Sequence, residues 1–113
     1  MLLCTELMFN EHARGYGRAG ADLIVVPRAA GAAHSRWKTA ASMAAIVSGS
    51  FVVSSSRVGN ASPGPTFGGC GYAFGPRGDL ISETSTAEQL IVAGIDVKEA
   101  ERQKQEYPCY VVE

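Results

Sequence analysis

Hydrophobic residues fall into two kinds of run along this chain, and the alternation between them predicts its elements. Leu2 to Thr5 reads as the end of a buried strand. Leu23-Ile24-Val25-Val26, closed by Pro27, is a continuous apolar run of the kind found in a strand covered on both faces. Between them, Asn10 as N-cap, Glu11 in a first turn and Gly20 as C-cap predict a helix over 11–19. Gly15 and Gly17 inside that helix each cost ~1 kcal/mol relative to alanine, so tertiary packing must hold it. A small-residue loop over 28–34 leads to Ser35, which caps a second helix predicted over 36–48. Trp37, Ala40, Ala41, Ala44, Ala45 and Val47 or Ser48 form its apolar face, suited to close packing on a sheet.

Phe51-Val52-Val53 opens a further strand that continues through three serines to Arg57-Val58-Gly59. Residues 60–66 form a surface loop by their prolines and glycine. Residues 69–74 and 80–83 then pair as a hairpin about Gly75-Pro76-Arg77-Gly78-Asp79. Residues 89–95 read as another strand. Asp96 and Glu99 have the spacing of a capping box and start a helix over 97–104, and the tail 107–113 is extended. The order is that of an α/β (α+β) chain.

At 113 residues the chain is one domain, and 46% hydrophobic with 19% charged residues marks it as globular. The net charge of −1 speaks against a phosphate-binding surface. No Asp or Glu occurs from Leu23 to Gly78, but Arg28, Arg36, Lys38, Arg57 and Arg77 are too dilute there to bind nucleic acid. Cys4, Cys70 and Cys109 are odd in number and unrelated in spacing, which fits neither a disulfide framework nor a metal site. Met1-Leu2-Leu3 is too short for a signal peptide, and no apolar run approaches ~20 residues, so no membrane span is expected. A soluble, reducing, cytoplasmic setting is the expectation.

Three short motifs carry little. Gly15-Tyr16-Gly17-Arg18-Ala19-Gly20 satisfies G-x-G-x-x-G, but it ends a helix instead of opening one, and no acidic residue follows about 20 positions on to hold a ribose. Arg77-Gly78-Asp79 is ordinary hairpin chemistry. Asn60-Ala61-Ser62 is a glycosylation sequon in pattern alone.

Cys4 carries more. A cysteine ending an apolar strand is by default a buried small hydrophobe, although a helix starting just after it would favour the thiolate. Cys4-Thr5-Glu6-Leu7-Met8-Phe9-Asn10-Glu11, followed by the Gly20-Ala21-Asp22 turn and the strand ending in Pro27, resembles the nucleophile segment of the carbon–nitrogen hydrolase (nitrilase/amidase) superfamily. The resemblance extends over nearly all of the chain. Trp37 with its Ala-rich helix, Phe51-Val52-Val53, Arg57-Val58-Gly59, Phe67-Gly68-Gly69, Gly75-Pro76-Arg77-Gly78 and Ile95-Asp96 fall in family order. Departures are Ala44 to Ser48 where an Arg-Ala-x-Glu-Asn unit is frequent, Ser56 in place of Asn, and Cys70 in place of Ser.

The resemblance implies that residues 1–113 are a single partial domain, the C-terminal part of a four-layer α–β–β–α sandwich of the nitrilase type. It makes Cys4 the nucleophile of amide or nitrile hydrolysis, with the Thr5 backbone amide in the oxyanion site. Glu6 and Glu11 would anchor the nucleophile segment, and Arg28 would reach the pocket. The family's catalytic Glu and Lys lie upstream of its Cys, so this chain alone is expected to be inactive. No metal or organic cofactor is implied, and Cys70 and Cys109 read as structural. Cys-Thr-Glu in place of the nitrilase Cys-Trp-Glu favours an amidase, and Leu7 and Met8 speak against an N-carbamoyl amino acid substrate. Alternatives are an N-acyltransferase of the same superfamily and a non-catalytic fragment or binding module. The expected partners are a small-molecule amide or nitrile and further copies of the chain, with no nucleic acid and no membrane. Uncovered apolar faces at Leu23–Val26 and Phe51–Val53 are expected to drive homo-oligomer formation.

Overall fold

The computed structural model describes residues 1–60 and 64–113, so Ala61 and Ser62 of the Asn60-Ala61-Ser62 sequon and part of the 60–66 loop lie outside the described residues. A 3-10 turn, Cys4–Met8, leads into helix α1 (Asn10–Arg18), strand β1 (Leu23–Arg28), helix α2 (His34–Ser48) and strand β2 (Phe51–Ser56). Strands β3 (Val58–Asn60), β4 (Thr66–Gly68), β5 (Tyr72–Phe74) and β6 (Leu80–Glu83) follow, then helix α3 (Val97–Gln103).

The main sheet runs β1-β2-β5-β6. β1 and β2 are parallel, with Leu23 opposite Phe51 and Arg28 opposite Ser56, and α2 is the crossover that a parallel pair requires. β5 and β6 add as the antiparallel hairpin read from the sequence, its turn closed by Gly75 N–H to the Asp79 carbonyl at 2.8 Å. β3 and β4 form a separate two-stranded ribbon.

The sheet buries one face. Ile24, Val26, Val52, Tyr72 and Phe74 pack against Ala41, Ala44 and Ala45 of α2, with Leu2, Leu7 and Ala13 completing the cluster. The expected small-residue face of α2 is the one that packs, which lets helix and sheet approach closely. Burying a Val, Leu, Ile or Phe side chain in this way contributes roughly 1.5–3 kcal/mol.

Several sequence expectations need correction. β1 is covered on one face only, because Leu23, Val25 and Pro27 point away from the helices and are exposed. Residues 1–3 are extended and give a single bond of Leu2 N–H to the Val25 carbonyl at 3.0 Å, after which the chain turns at Cys4 instead of continuing as strand. α2 starts at His34 with no side-chain cap, so Ser35 lies within it. The strand expected to reach Gly59 divides at Arg57 into β2 and β3, which belong to different sheets. Residues 89–95 form no strand, since no neighbouring strand offers them a ladder. The tail is not extended throughout, because residues 107–110 are turns.

Arg14 and Arg18 both hold the tail, with Arg18 Nη2 donating to Glu113 Oε1 at 3.1 Å. Arg14 Nε meets Glu113 Oε1 at 2.5 Å, Arg14 Nη2 donates to the Val111 carbonyl at 2.6 Å, and Nη1 donates to the Val47 carbonyl at 3.3 Å. Arg14 thereby joins α1, the end of α2 and the C-terminus, and its hydrogen bond holds the Glu113 carboxyl below the usual carboxylate range.

Gly17 explains the glycine motif in packing terms. A Cβ built there would lie 2.3 Å from the Ser48 carbonyl oxygen, so α1 crosses α2 backbone to backbone, whereas Gly15 has open space around it. Gly17→Ala is therefore expected to destabilise the fold by about 1–3 kcal/mol through forced separation of the helices. Gly15→Ala is expected to stabilise it by about 0.5–1 kcal/mol. Urea denaturation of the two variants checks the pair; equal effects would contradict the crossing.

Candidate functional site

The turn at Cys4 is built from both sides. Leu2 before it and Leu7 after it are both buried in the core, so the four residues between must reverse from extended chain to 3-10 turn in a short span. Cys4 absorbs the reversal with φ +45°, a left-handed conformation that costs a side-chain-bearing residue roughly 1–2 kcal/mol. Glu6 secures it by accepting from Leu3 N–H at 2.7 Å through Oε1, while Glu6 N–H donates to the Leu3 carbonyl at 3.0 Å. Tyr16 of α1 donates to the Met1 carbonyl at 2.9 Å, tying the entering segment to the helix that follows. The result is a half-buried thiol on a sharp elbow.

Thr5 is exposed in the first turn of the 3-10 segment, where a backbone N–H has no intra-turn acceptor and is free for an external one. Glu11 is exposed in the first turn of α1. Among the described residues, Cys4 Sγ makes no hydrogen bond to a carboxylate or imidazole, and Glu6 is engaged by the backbone.

Arg28 is buried at the end of β1. Its side chain, 6% exposed, points to the helix-covered face of the sheet. Nε donates to Ser54 Oγ at 2.6 Å and Nη2 to the Cys70 carbonyl at 2.5 Å. The guanidinium carbon stands 4.7 Å from the centre of the Tyr72 ring and 5.4 Å from that of Trp37. Among the described residues no carboxylate pairs with this buried cation, and aromatic faces and fixed oxygens replace water around it. Burial pushes the Tyr72 hydroxyl's pKa up, an effect that the nearby Arg28 charge opposes.

A cavity of about 950 Å³ runs along the outer face of the sheet and past the carboxyl ends of β1 and β2. Val25, Val53, Ala73 and Cys70 line it, with Ile91 and Ala93 opposite. Met1 borders it, whereas Cys4 and Arg28 do not. At its rim Lys38 of α2 is paired with Glu83 of β6, and that hydrogen bond raises the Lys38 pKa. His34 Nε2 lies 3.1 Å from the Gly68 carbonyl. None of these pairings has a sequence signature, since each joins residues far apart in the chain. Among the described residues no group of three or more His, Cys, Asp or Glu could hold a metal, and no helix is long and apolar enough to cross a membrane.

The other thiols are differently placed. Cys70 also has a positive φ, +69°, beside Gly69, and its carbonyl is held by Arg28. Cys109 packs under the tail with Sγ 3.5 Å from the Ile46 carbonyl, and burial pushes its thiol pKa up.

The family model for carbon-nitrogen hydrolases matches residues 1–105. The chain is 28% identical over 111 residues to a "hydrolase in agr operon" of Staphylococcus lugdunensis, taking in 96% of this chain and 47% of that protein. The crystal structure of a carbon-nitrogen hydrolase from Helicobacter pylori G27 superposes with a TM-score of 0.82 at 22% identity, covering 96% of this chain and 43% of that one. The C. elegans NitFhit protein superposes with a TM-score of 0.87 at 21% identity, over 97% of this chain and 27% of that one. The fold is thus that of the nitrilase type, and the chain spans less than half the length of these relatives.

The thiols should separate in alkylation. With iodoacetamide at neutral pH, Cys4 is expected to label ahead of Cys109. The raised pKa keeps Cys109 protonated, so its rate should climb only as pH rises above the ordinary thiol range. Peptide mapping over a pH series checks this, and faster labelling of Cys109 at neutral pH would contradict it.

Proposed function

The chain belongs to the carbon–nitrogen hydrolase family, and from that premise we propose that it bears the nucleophile of a thiol-dependent amidase, Cys4. The observation that carries this reading is the elbow itself. A half-buried thiol with positive φ is fixed there by buried Leu2 and Leu7 and by the Glu6 side chain. Strain at a non-glycine residue persists when its surroundings enforce it, and such residues cluster at functional sites.

The chemistry follows from the groups at hand. The Cys4 thiolate adds to the amide carbonyl carbon, and the resulting oxyanion accepts a hydrogen bond from the exposed Thr5 N–H. Collapse breaks the carbon–nitrogen bond, and the amine leaves with a proton, so a thioester remains on Cys4. Water then cleaves the thioester, releasing the acid and restoring the thiol. Thr5 in the position after the nucleophile, where the resemblance implies Trp for a nitrilase, favours an amide over a nitrile.

Two proton transfers in this scheme need a base, and the amine's departure needs an acid. Among the described residues none is bonded to Cys4 Sγ, and Glu6 is committed to the Leu3 amide. The proposal is therefore that the chain by itself supports acylation by activated donors but not amide turnover. Losing one member of a nucleophile–base unit typically removes most of its rate enhancement.

The experiment is to expose the chain to p-nitrophenyl acetate and to a panel of simple amides. The expected result is one acetyl group on Cys4 by mass mapping, absent in Cys4→Ser, with no ammonia released from the amides. Acetylation at Cys70 or Cys109 with Cys4 untouched would overturn the nucleophile assignment. Cys4-dependent ammonia release would show that the chain contains its own base and would direct attention to Glu6 and Glu11.

A further inference from the structure

Cys70 takes no part in the chemistry at Cys4, and polar groups gather around it. It has φ +69° just before β5, packs half-buried against the core cluster, and its carbonyl accepts from Arg28 Nη2 at 2.5 Å. It lines the cavity of about 950 Å³ together with Lys38, Ser56 and Tyr72. Tyr72 is 2% exposed, and among the described residues its Oη makes no hydrogen bond. Ser54, paired with Tyr72 across the sheet, is already committed: its Oγ donates to the Val26 carbonyl at 2.6 Å and accepts from Arg28 Nε at 2.6 Å. Ser56 Oγ is a second buried hydroxyl without a partner among the described residues. A buried donor with no acceptor is costly, so two of them on one cavity mark a place for an acceptor oxygen.

Charge points the same way. The Glu83 hydrogen bond is the main cause of the raised Lys38 pKa, and burial is the main cause of the raised Tyr72 pKa, but negative charge on Cys70 adds to both. Sulfur, ammonium and phenol thus lie within electrostatic reach of one another. Lys38 N–H, Tyr72 O–H and Ser56 O–H are all donors, which suits an electron-rich oxygen bonded to the sulfur. Two other fates of a thiol fit less well. Cys4 does not line the cavity and Cys109 packs against the Ile46 carbonyl, so neither is placed for a disulfide with Cys70. Among the described residues no three His, Cys, Asp or Glu gather to hold a metal. Serine, common at this position in the family, lacks the redox chemistry of a thiol, so the property belongs to this chain.

We propose that Cys70 is a modification site for hydrogen peroxide, which converts it to a sulfenic acid held by the Tyr72 hydroxyl and the Lys38 ammonium. The sulfur attacks one oxygen of the peroxide, and the sulfur–oxygen bond forms as the oxygen–oxygen bond breaks. Sulfur gives up two electrons and the peroxide takes them. The departing hydroxide picks up the proton that the thiol releases and leaves as water. The inference does not depend on the chemistry at Cys4.

The test is to treat the full chain with hydrogen peroxide at neutral pH, trap sulfenic acid with dimedone and map the adducts at all three thiols in one sample. The expected result is a Cys70 adduct that forms faster than any at Cys109. Tyr72→Phe keeps the ring beneath Arg28 and deletes only an unpartnered hydroxyl, so the fold should survive it. That variant should slow the Cys70 adduct by at least about threefold, the effect of one hydrogen bond, and leave alkylation of Cys70 by iodoacetamide unchanged. Lys38→Gln, at a half-exposed position of α2, should slow the same adduct and provides a second reading. Absence of a Cys70 adduct overturns the proposal. So does an unchanged Cys70 rate in Tyr72→Phe, or an equal slowing of oxidation and alkylation, which would mean that the hydroxyl acts through packing alone.

Discussion

Ala41, Ala44 and Ala45 put nothing larger than a methyl between the α2 backbone and Ile24, Val26 and Val52 of the sheet, and the remaining contacts follow from that approach. With α2 so close, α1 can reach the core only by crossing α2 at Gly17, where the Ser48 carbonyl occupies the space a side chain would need. The position of α1 in turn sets how far the chain must turn after Leu2. Leu2 and Leu7 are drawn into the same cluster, and the short path between them leaves Cys4 at positive φ. The elbow is thus a consequence of helix–sheet packing, with Glu6 fixing what the packing requires.

Much of this was legible in the sequence because local rules and tertiary packing agree. The α2 alanine face, the Gly75 to Asp79 turn and Gly20 with φ +90° just past α1 all have signatures within a few residues. The reading failed where the deciding partner is distant. Leu23 to Val26 looks like a strand buried on both faces, but periodicity cannot say whether a second layer is present, and here Leu23 and Val25 face outward. Residues 89–95 have strand alternation, and a ladder needs a neighbour that their spacing does not reveal. Both misreadings concern the same uncovered side.

At the site, sequence resemblance singled out Cys4, Thr5, Glu6, Glu11 and Arg28, and the structure distributes them unequally. Cys4, Thr5 and Glu6 share the elbow, and Glu11 starts the following helix. Arg28 is turned to the opposite face, where Tyr72, Trp37, Ser54 and the Cys70 carbonyl surround it. No pattern in the sequence announces that arrangement. It joins the end of β1 to Ser54 of β2 and to the Cys70 carbonyl just before β5.

The central claim is that packing forces Cys4 into the left-handed region, and the relative stability of Cys4→Gly and Cys4→Ala measures it directly. Glycine adopts positive φ freely and alanine does not, whereas in an ordinary extended segment glycine is the worse residue by about 0.5–1 kcal/mol. Urea denaturation of the two variants at equal concentration should find Cys4→Gly the more stable by about 1 kcal/mol. If Cys4→Ala is instead the more stable, Cys4 is not held at an elbow and the account of the site is wrong.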